Sequence, residues 1–319
     1  MKMISWIIGC AIQITLIRFD SLKCLIVFSN WVFLKSQNFI SQNPSSWNWL
    51  YEALLIGNQD MVRANPLMQS FLILGIYHLI VVSGSHVVNV HHWTRRFTIF
   101  LPQSLTHLIV TIVLIAFTFA NRLQASCVRA VIHLGLGKLF KISSLAQADL
   151  QFLTTCVCLL LSPQWVESLS FQLSSAASLG LCIAASLQIQ NSFKRRCMQS
   201  LLCTLVMTPL LYSIQPCLSW LIIPTNILAA PVFEFILLPL SFLNVVCPLL
   251  RPILEPVLEI LFNLTRFLSE FENPVLCFEE RNLKTWGFIY VSIVYFLWRL
   301  LLPSLTRYLF WKSQRQKHN

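Results

Sequence analysis

Long stretches of this chain carry little or no charge, and that limits its fold more than any other feature. Apolar runs cover roughly residues 4–17, 21–34, 76–93, 98–120, 125–141, 147–162, 168–190, 197–214, 218–241, 243–264 and 285–302. A helix needs about 20 apolar residues to cross the hydrocarbon of a bilayer, and only helices or closed barrels satisfy their backbone there. Of 319 residues only 11% are charged and 56% are hydrophobic, whereas a soluble domain carries about a quarter charged residues. A water-soluble globule is excluded. The expected fold is all-α, a polytopic transmembrane helical bundle of about nine to eleven spans. Pro209, Pro224, Pro231 and Pro239 interrupt the later ones.

The remaining charges sort by side. Lys+Arg number 23 against 12 Asp+Glu, a net +11. Basic clusters stand at Arg95-Arg96, at Lys138 and Lys141, at Lys194-Arg195-Arg196, and at Lys312, Arg315 and Lys317. One pair of spans separates each of the first three from the next, so they share a side, which the positive-inside rule makes cytoplasmic. Residues 270–280 hold Glu270, Glu272, Glu279 and Glu280 and no base, as an outside loop does. An even number of spans between residues 216 and 270 then places the C-terminus inside. The expectation is a multi-pass protein of the cell inner (cytoplasmic) membrane. Along the chain it comprises an N-terminal membrane hairpin (1–35), an extracytoplasmic segment with an amphipathic helix begun by Asn65-Pro66 (36–75), a membrane domain (76–302) and a basic cytoplasmic tail (303–319). The basic excess serves topology first; an anionic cargo is the second reading.

The eleven cysteines form no C-x-x-C and scatter through apolar segments, which points to neither a disulfide framework nor a zinc site. There is no G-x-x-x-x-G-K-[ST], and none of the seven histidines stands in H-x-H-x-D-H or H-E-x-x-H. His86 with His91 or His92 lacks a third ligand for a metal. No catalytic residue, metal or cofactor is expected, and the chain reads as a non-enzyme.

Four polar groups interrupt the apolar runs. In 76–93, IYHLIVVSGSHVVNVHHW, helical spacing puts His78, Ser85, Asn89 and His92 on one face with His86 at its margin. Polar residues within a span face the bundle interior or a watery path, although His86 and Ser83 would equally serve as glue between helices. Ser83-Gly84-Ser85 can also bend the helix. In 121–141, Arg122, Ser126, Arg129 and His133 step by four, three and four. An arginine in a span costs about 2.5–3.5 kcal/mol at its centre, so Arg129 either snorkels or faces an aqueous path, where guanidinium meets phosphate bidentately. In 169–181, Ser170, Ser174 and Ser178 make a small-residue face suited to close packing, while Gln172 and Ser175 lie on another face. The fourth group is Asn226 among Pro224 and Pro231, followed by Glu234, which needs a partner or a proton.

At these positions the chain resembles the competence domain of the ComEC family. Residues 53–57, ALLIG, followed by residues 75–87, GIYHLIVVSGSHV, resemble the family's ALLLG…G-x-x-HLLAISGLHV. Ser126-Cys127-Val128-Arg129-Ala130 resembles S-x-x-RA, and Phe171-Gln172-Leu173-Ser174 with Leu179-Gly180-Leu181 resembles GFQLS…LGL. Asn226-Ile227-Leu228-Ala229-Ala230-Pro231 resembles the late N-x-x-x-x-P. Ser85 stands for the usual Leu, Val88 for a Gly, Ser170 for the Gly before FQLS, and Glu167 near the usual Asp. Full-length members also carry an OB-like and a metallo-β-lactamase-like domain, and this chain reads as a short member with neither. The resemblance implies a channel that takes up single-stranded DNA in natural transformation. It would act in the lipid membrane as a homo-oligomer, served by separate receptor, nuclease and motor proteins. Its DNA path would be lined by Arg122, Arg129, His133, His86, Ser83, Asn89, Gln172, Ser174 and Asn226. The alternatives are a small-solute or ion permease, and a non-transporting membrane scaffold or relic.

Overall fold

The computed structural model describes residues 24–42, 45–58, 60, 62, 65–140, 147–211, 217–218, 221–270, 276–277, 290 and 293–294. Residues 1–23, most of the span expected at 285–302 and the tail 303–319 lie outside them.

The fold is all-α. In chain order its helices are α1 (residues 24–41), α2 (Asn48–Ile56), α3 (Met68–Ile73), α4 (Tyr77–Ile80), α5 (Gly84–Phe97), α6 (Gln103–Ala120), α7 (Ala125–Phe140), α8 (Gln147–Leu161), α9 (Leu169–Ser186), α10 (Ser192–Leu211), α11 (Ile222–Val232), α12 (Leu238–Val246) and α13 (Arg251–Glu270). A two-residue antiparallel ladder, Cys217–Leu218 with Leu276–Cys277, is the strand pairing among the described residues. Three helices there are long and apolar enough to cross a membrane: Gln103–Ala120, Leu169–Ser186 and Ile222–Val245. Asp149–Leu161 is a shorter apolar helix.

The chain divides into two compact units that interleave along the sequence. The first comprises Met1–Met68, His78–Val128 and Phe233–Leu261, the second Gln69–Tyr77, Arg129–Val232 and Phe262–Asn319.

In the first unit, α2 is the buried element, packed by α6 and α12. Leu50 through Ile56 are all buried, so the stretch 36–75 holds a core helix. Asn244 Nδ2 donates to the Tyr51 hydroxyl at 2.9 Å. Gly57 ends α2 in the left-handed conformation, φ +66°, where a side chain would be strained. A Cβ there would also fall 2.8 Å from Asn121 Oδ1, while Asn121 Nδ2 donates to the Leu55 and Phe117 carbonyls. The glycine of ALLIG thus lets α2 dock on the end of α6.

In the second unit the main pairing is α9 with α10. Ala176, Leu179, Val206 and Leu210 form its buried seam. Gly180 brings the two backbones together, because a Cβ on it would sit 2.8 Å from Cys203 Cα.

Three expected continuous helices are broken. The 76–93 run stops after Ile80 and restarts at Gly84, so His78 and Asn89 do not share one helical face. Arg122 lies in the turn before α7, at φ +52°, and the four-residue stripe begins instead at Ser126. The 243–264 run is interrupted by the 3-10 turn Pro248–Leu250. The helix beyond that turn, α13, carries Arg251, Glu255, Glu259, Arg266 and Glu270 and is not among the helices apolar enough to cross. Its side toward the protein is Leu254, Leu258 and Phe262, and Ile253, Val257, Ile260, Leu264 and Phe267 are exposed. The even span count that placed the tail inside relied on 243–264 crossing. Between Pro231 and Pro239 the long helix Ile222–Val245 widens into a π-helical segment, Phe233–Leu237. Proline supplies no N–H and clashes with the preceding turn, and such bulges accommodate that.

Candidate functional site

Arg129 is the charge that the apolar sequence explains least. It sits in the first turns of α7 and is 4% exposed. Its guanidinium is held by α9: Nε and Nη2 donate to Ser174 Oγ at 3.1 and 2.7 Å, and Nη2 donates to Ser178 Oγ at 2.8 Å. These two serines belong to the stripe that composition assigns to packing. Four residues apart on one face, they form instead a hydroxyl cradle for the cation. Ser174 was expected on the path; Ser178 was not, although its i, i+4 spacing from Ser174 was the signal.

The cradle is electrically neutral. The other groups that act on the guanidinium are the thiols of Cys158 in α8 and Cys182 in α9, and no carboxylate is among them. Among the described residues, Nη1 has no hydrogen-bond partner. A guanidinium offers five N–H donors in a planar fork. Among the described residues, three hydrogen bonds to two hydroxyls leave its second amino group uncommitted and no carboxylate beside its charge. One turn on, His133 Nδ1 lies 3.2 Å from Thr154 Oγ1 of α8, so the polar line continues along α7.

The remaining expected site residues fall elsewhere. Gln172 is 2% exposed, and its Nε2 donates to the Val166 carbonyl at 2.6 Å, across the turn that leads into α9. Asn226, in α11, is half-buried, and its Oδ1 has no hydrogen-bond partner among the described residues. Arg122 is exposed, with its guanidinium stacked 3.6 Å over the Phe33 ring.

In the first unit, Ser83 and His86 bond to each other across the break between α4 and α5. His86 Nδ1 accepts from the Ser83 backbone N–H at 3.1 Å and lies 3.0 Å from its hydroxyl. The hydroxyl is also 2.8 Å from Ser85 Oγ. His86 thus fills the third position of a capping box, the place normally taken by Glu or Gln. Nδ1 of the ring serves the start of the helix. α5 packs against the π-helical segment, where Ser85 and Asn89 act on Glu234. A second carboxylate, Glu52, is 3% exposed in α2 and accepts from Asn58 Nδ2 at 2.7 Å and Gln37 Nε2 at 3.1 Å. Glu52 escaped the sequence reading because a lone acid beside a short apolar run carries no distinguishing pattern.

Residues 54–304 match the protein family described as "Competence protein". The ComE operon protein 3 of Bacillus subtilis (strain 168) is 27% identical over 205 residues, which cover 61% of this chain and 26% of that protein. The chain thus spans about a quarter of the length of this relative. No solved structure matches it. The family match takes in α6, α9 and the long helix Ile222–Val245, the three helices among the described residues fit to cross a bilayer, and with it the hydroxyl-held arginine. The chain is a helical membrane protein that belongs to the competence protein family.

Proposed function

We propose that this chain forms a channel through which single-stranded DNA crosses the inner membrane during natural transformation, and that Arg129 meets the phosphates on the way. The observation that carries this is the buried guanidinium with hydroxyl partners and, among the described residues, no carboxylate. Hydrogen bonds to a charged acceptor are about twice as strong as those to a neutral one. A phosphate arriving at Nη1 would supply the missing anion and release Ser174 and Ser178. The hydroxyls would hold the fork in place between phosphates, giving a site favourable enough to enter and weak enough to leave. His133 would extend the polar line, and Asn226, in the same unit, would supply a further hydrogen-bonding group. Arg122, exposed at a turn, would attract the strand electrostatically.

Transport of this kind is not catalysis. The protein would supply a polar route as a homo-oligomer in the lipid membrane. A separate receptor would deliver the DNA, a nuclease would make it single-stranded, and a motor would pull it. Deleting the gene should leave DNA bound at the cell surface and protected DNA absent from the cytoplasm. Loss of surface binding itself would place the defect upstream of the membrane and count against a channel.

The orientation that fits the basic clusters puts Arg95-Arg96, Lys138 and Lys194-Arg195-Arg196 in the cytoplasm. On a cysteine-depleted background, Arg195→Cys should react with an impermeant thiol reagent only after the membrane is opened. Labelling in intact spheroplasts would reverse the orientation.

A further inference from the structure

We propose that Glu234, Ser85 and Asn89 form a proton-binding site within the membrane domain, in which the Glu234 carboxylate takes up a proton and Asn89 serves both of its states.

The site joins two irregularities of the backbone. Glu234 lies in the π-helical segment Phe233–Leu237 of a helix fit to span the membrane. Pro231 and Pro239 bracket the segment, and each removes the N–H that would bond the carbonyl four residues earlier. Opposite it stands the first turn and a half of α5, the helix that restarts at Gly84 after the break. Irregular backbone within a membrane persists where it is buried in protein or lines a polar cavity. Two such irregularities facing one carboxylate mark a polar pocket rather than a lipid surface.

The carboxylate has no cation. Among the described residues Glu234 makes no ion pair, and the side chains acting on it are Ser85 and Asn89. The titratable and charged residues of the packed elements are His86, His91, His92, Arg95 and Arg96 on α5, and α12 carries none. His86 is turned to Ser83, and His92, Arg95 and Arg96 are exposed. An ionisable group inside a membrane must be paired, solvated or neutral. Neutralisation by a proton needs no further ligand. A metal cation would require a fuller oxygen shell than one carboxylate, one hydroxyl and one amide provide.

Asn89 fits both protonation states. Its Nδ2 is buried and, among the described residues, makes no hydrogen bond of ordinary length, while the amide acts on Glu234. An amide presents a donor and an acceptor, so Nδ2 can donate to the ionised carboxylate, and Oδ1 can accept from the acid. Ser85 Oγ has the same double capacity and is tied through Ser83 to the cap of α5. Protonation at Glu234 would therefore be felt at the break in the helix. The site holds its proton whether or not DNA is the cargo.

Difference infrared spectroscopy of the full chain in liposomes tests this directly. Between about pH 4 and about pH 9, a range covering ordinary and buried carboxylates, the wild type should show a carboxylic-acid carbonyl band that titrates. Glu234→Gln should lose that band, and Asn89→Leu should keep it but shift its frequency. If Glu234→Gln does not accumulate, the shift in Asn89→Leu alone decides. A spectrum identical in wild type and Glu234→Gln, or a band unmoved by Asn89→Leu, overturns the site. Replacing choline by sodium at fixed pH should change nothing; loss of the band on adding sodium would make it a metal-cation site instead.

Discussion

Arg129→Leu should abolish DNA uptake into the cytoplasm while the protein still accumulates in the membrane. The substitution removes a cation that is costly to place inside a membrane. Among the described residues it leaves no buried acid without a partner. The two hydroxyls it frees can bond to their own helix, as Ser178 Oγ already does to the Ser174 carbonyl at 3.0 Å. Folding should therefore be close to neutral. What disappears is the anion site. Two charge-assisted hydrogen bonds at about 1.5 kcal/mol each correspond to roughly a hundredfold loss. Transformants per viable cell, measured beside membrane protein levels, should fall by at least that factor. Arg129→Lys should fall between, since it keeps the charge but not the planar fork. Normal transformation by Arg129→Leu at normal protein levels would reduce the residue to packing.

The second large effect belongs to Gly180. A Cβ at this position would stand 2.8 Å from Cys203 Cα, 2.9 Å from Cys203 N and 3.0 Å from the Leu202 carbonyl oxygen. All three are backbone atoms, so relief requires α10 to move away from α9 along the seam of Ala176, Leu179, Val206 and Leu210. Overpacking of a buried contact costs about 1–3 kcal/mol, and Gly180→Leu should reach or exceed the top of that range. Its membrane level and thermal stability in detergent should both drop, with Gly180→Ala intermediate. Gly135→Ala is the control. Nothing lies within 4 Å of a Cβ at Gly135, and replacing a mid-helix glycine by alanine gains about 0.8–1.0 kcal/mol. A Gly180→Leu protein as stable as the wild type would mean that α9 and α10 are not in close contact.

The all-α membrane fold was legible because the absence of charge leaves few other solutions. So were Arg129 and His133 as members of one helix, while at Asn65 there is a turn, its Oδ1 accepting from the Leu67 N–H, three residues ahead of α3. The break at residues 81–83 was legible only as a capacity to bend. Ser83-Gly84-Ser85 permits it, but the cap made by His86 depends on the ring folding back. The role of Ser174 and Ser178 was hidden because a serine stripe looks the same whether it packs against a backbone or holds a guanidinium. Their partner is 45 and 49 residues away in sequence. Burial of α2 was hidden for a related reason: nine residues are too few to announce a core helix, and its shield comes from α6 and α12. In α13, the apolar run suggested a span, while Arg251, Glu255, Glu259, Arg266 and Glu270 give it an amphipathic surface.

The most direct measurement of the central claim uses the purified protein in liposomes. A path between helices of a bundle is narrow, and a duplex carries twice the backbone charge of a single strand along its axis. A labelled single-stranded oligonucleotide should enter down its gradient, a duplex of the same length should stay outside, and Arg129→Leu liposomes should admit neither. Passage of small solutes with exclusion of both DNAs would contradict the channel in favour of a permease, and passage of nothing would leave a scaffold.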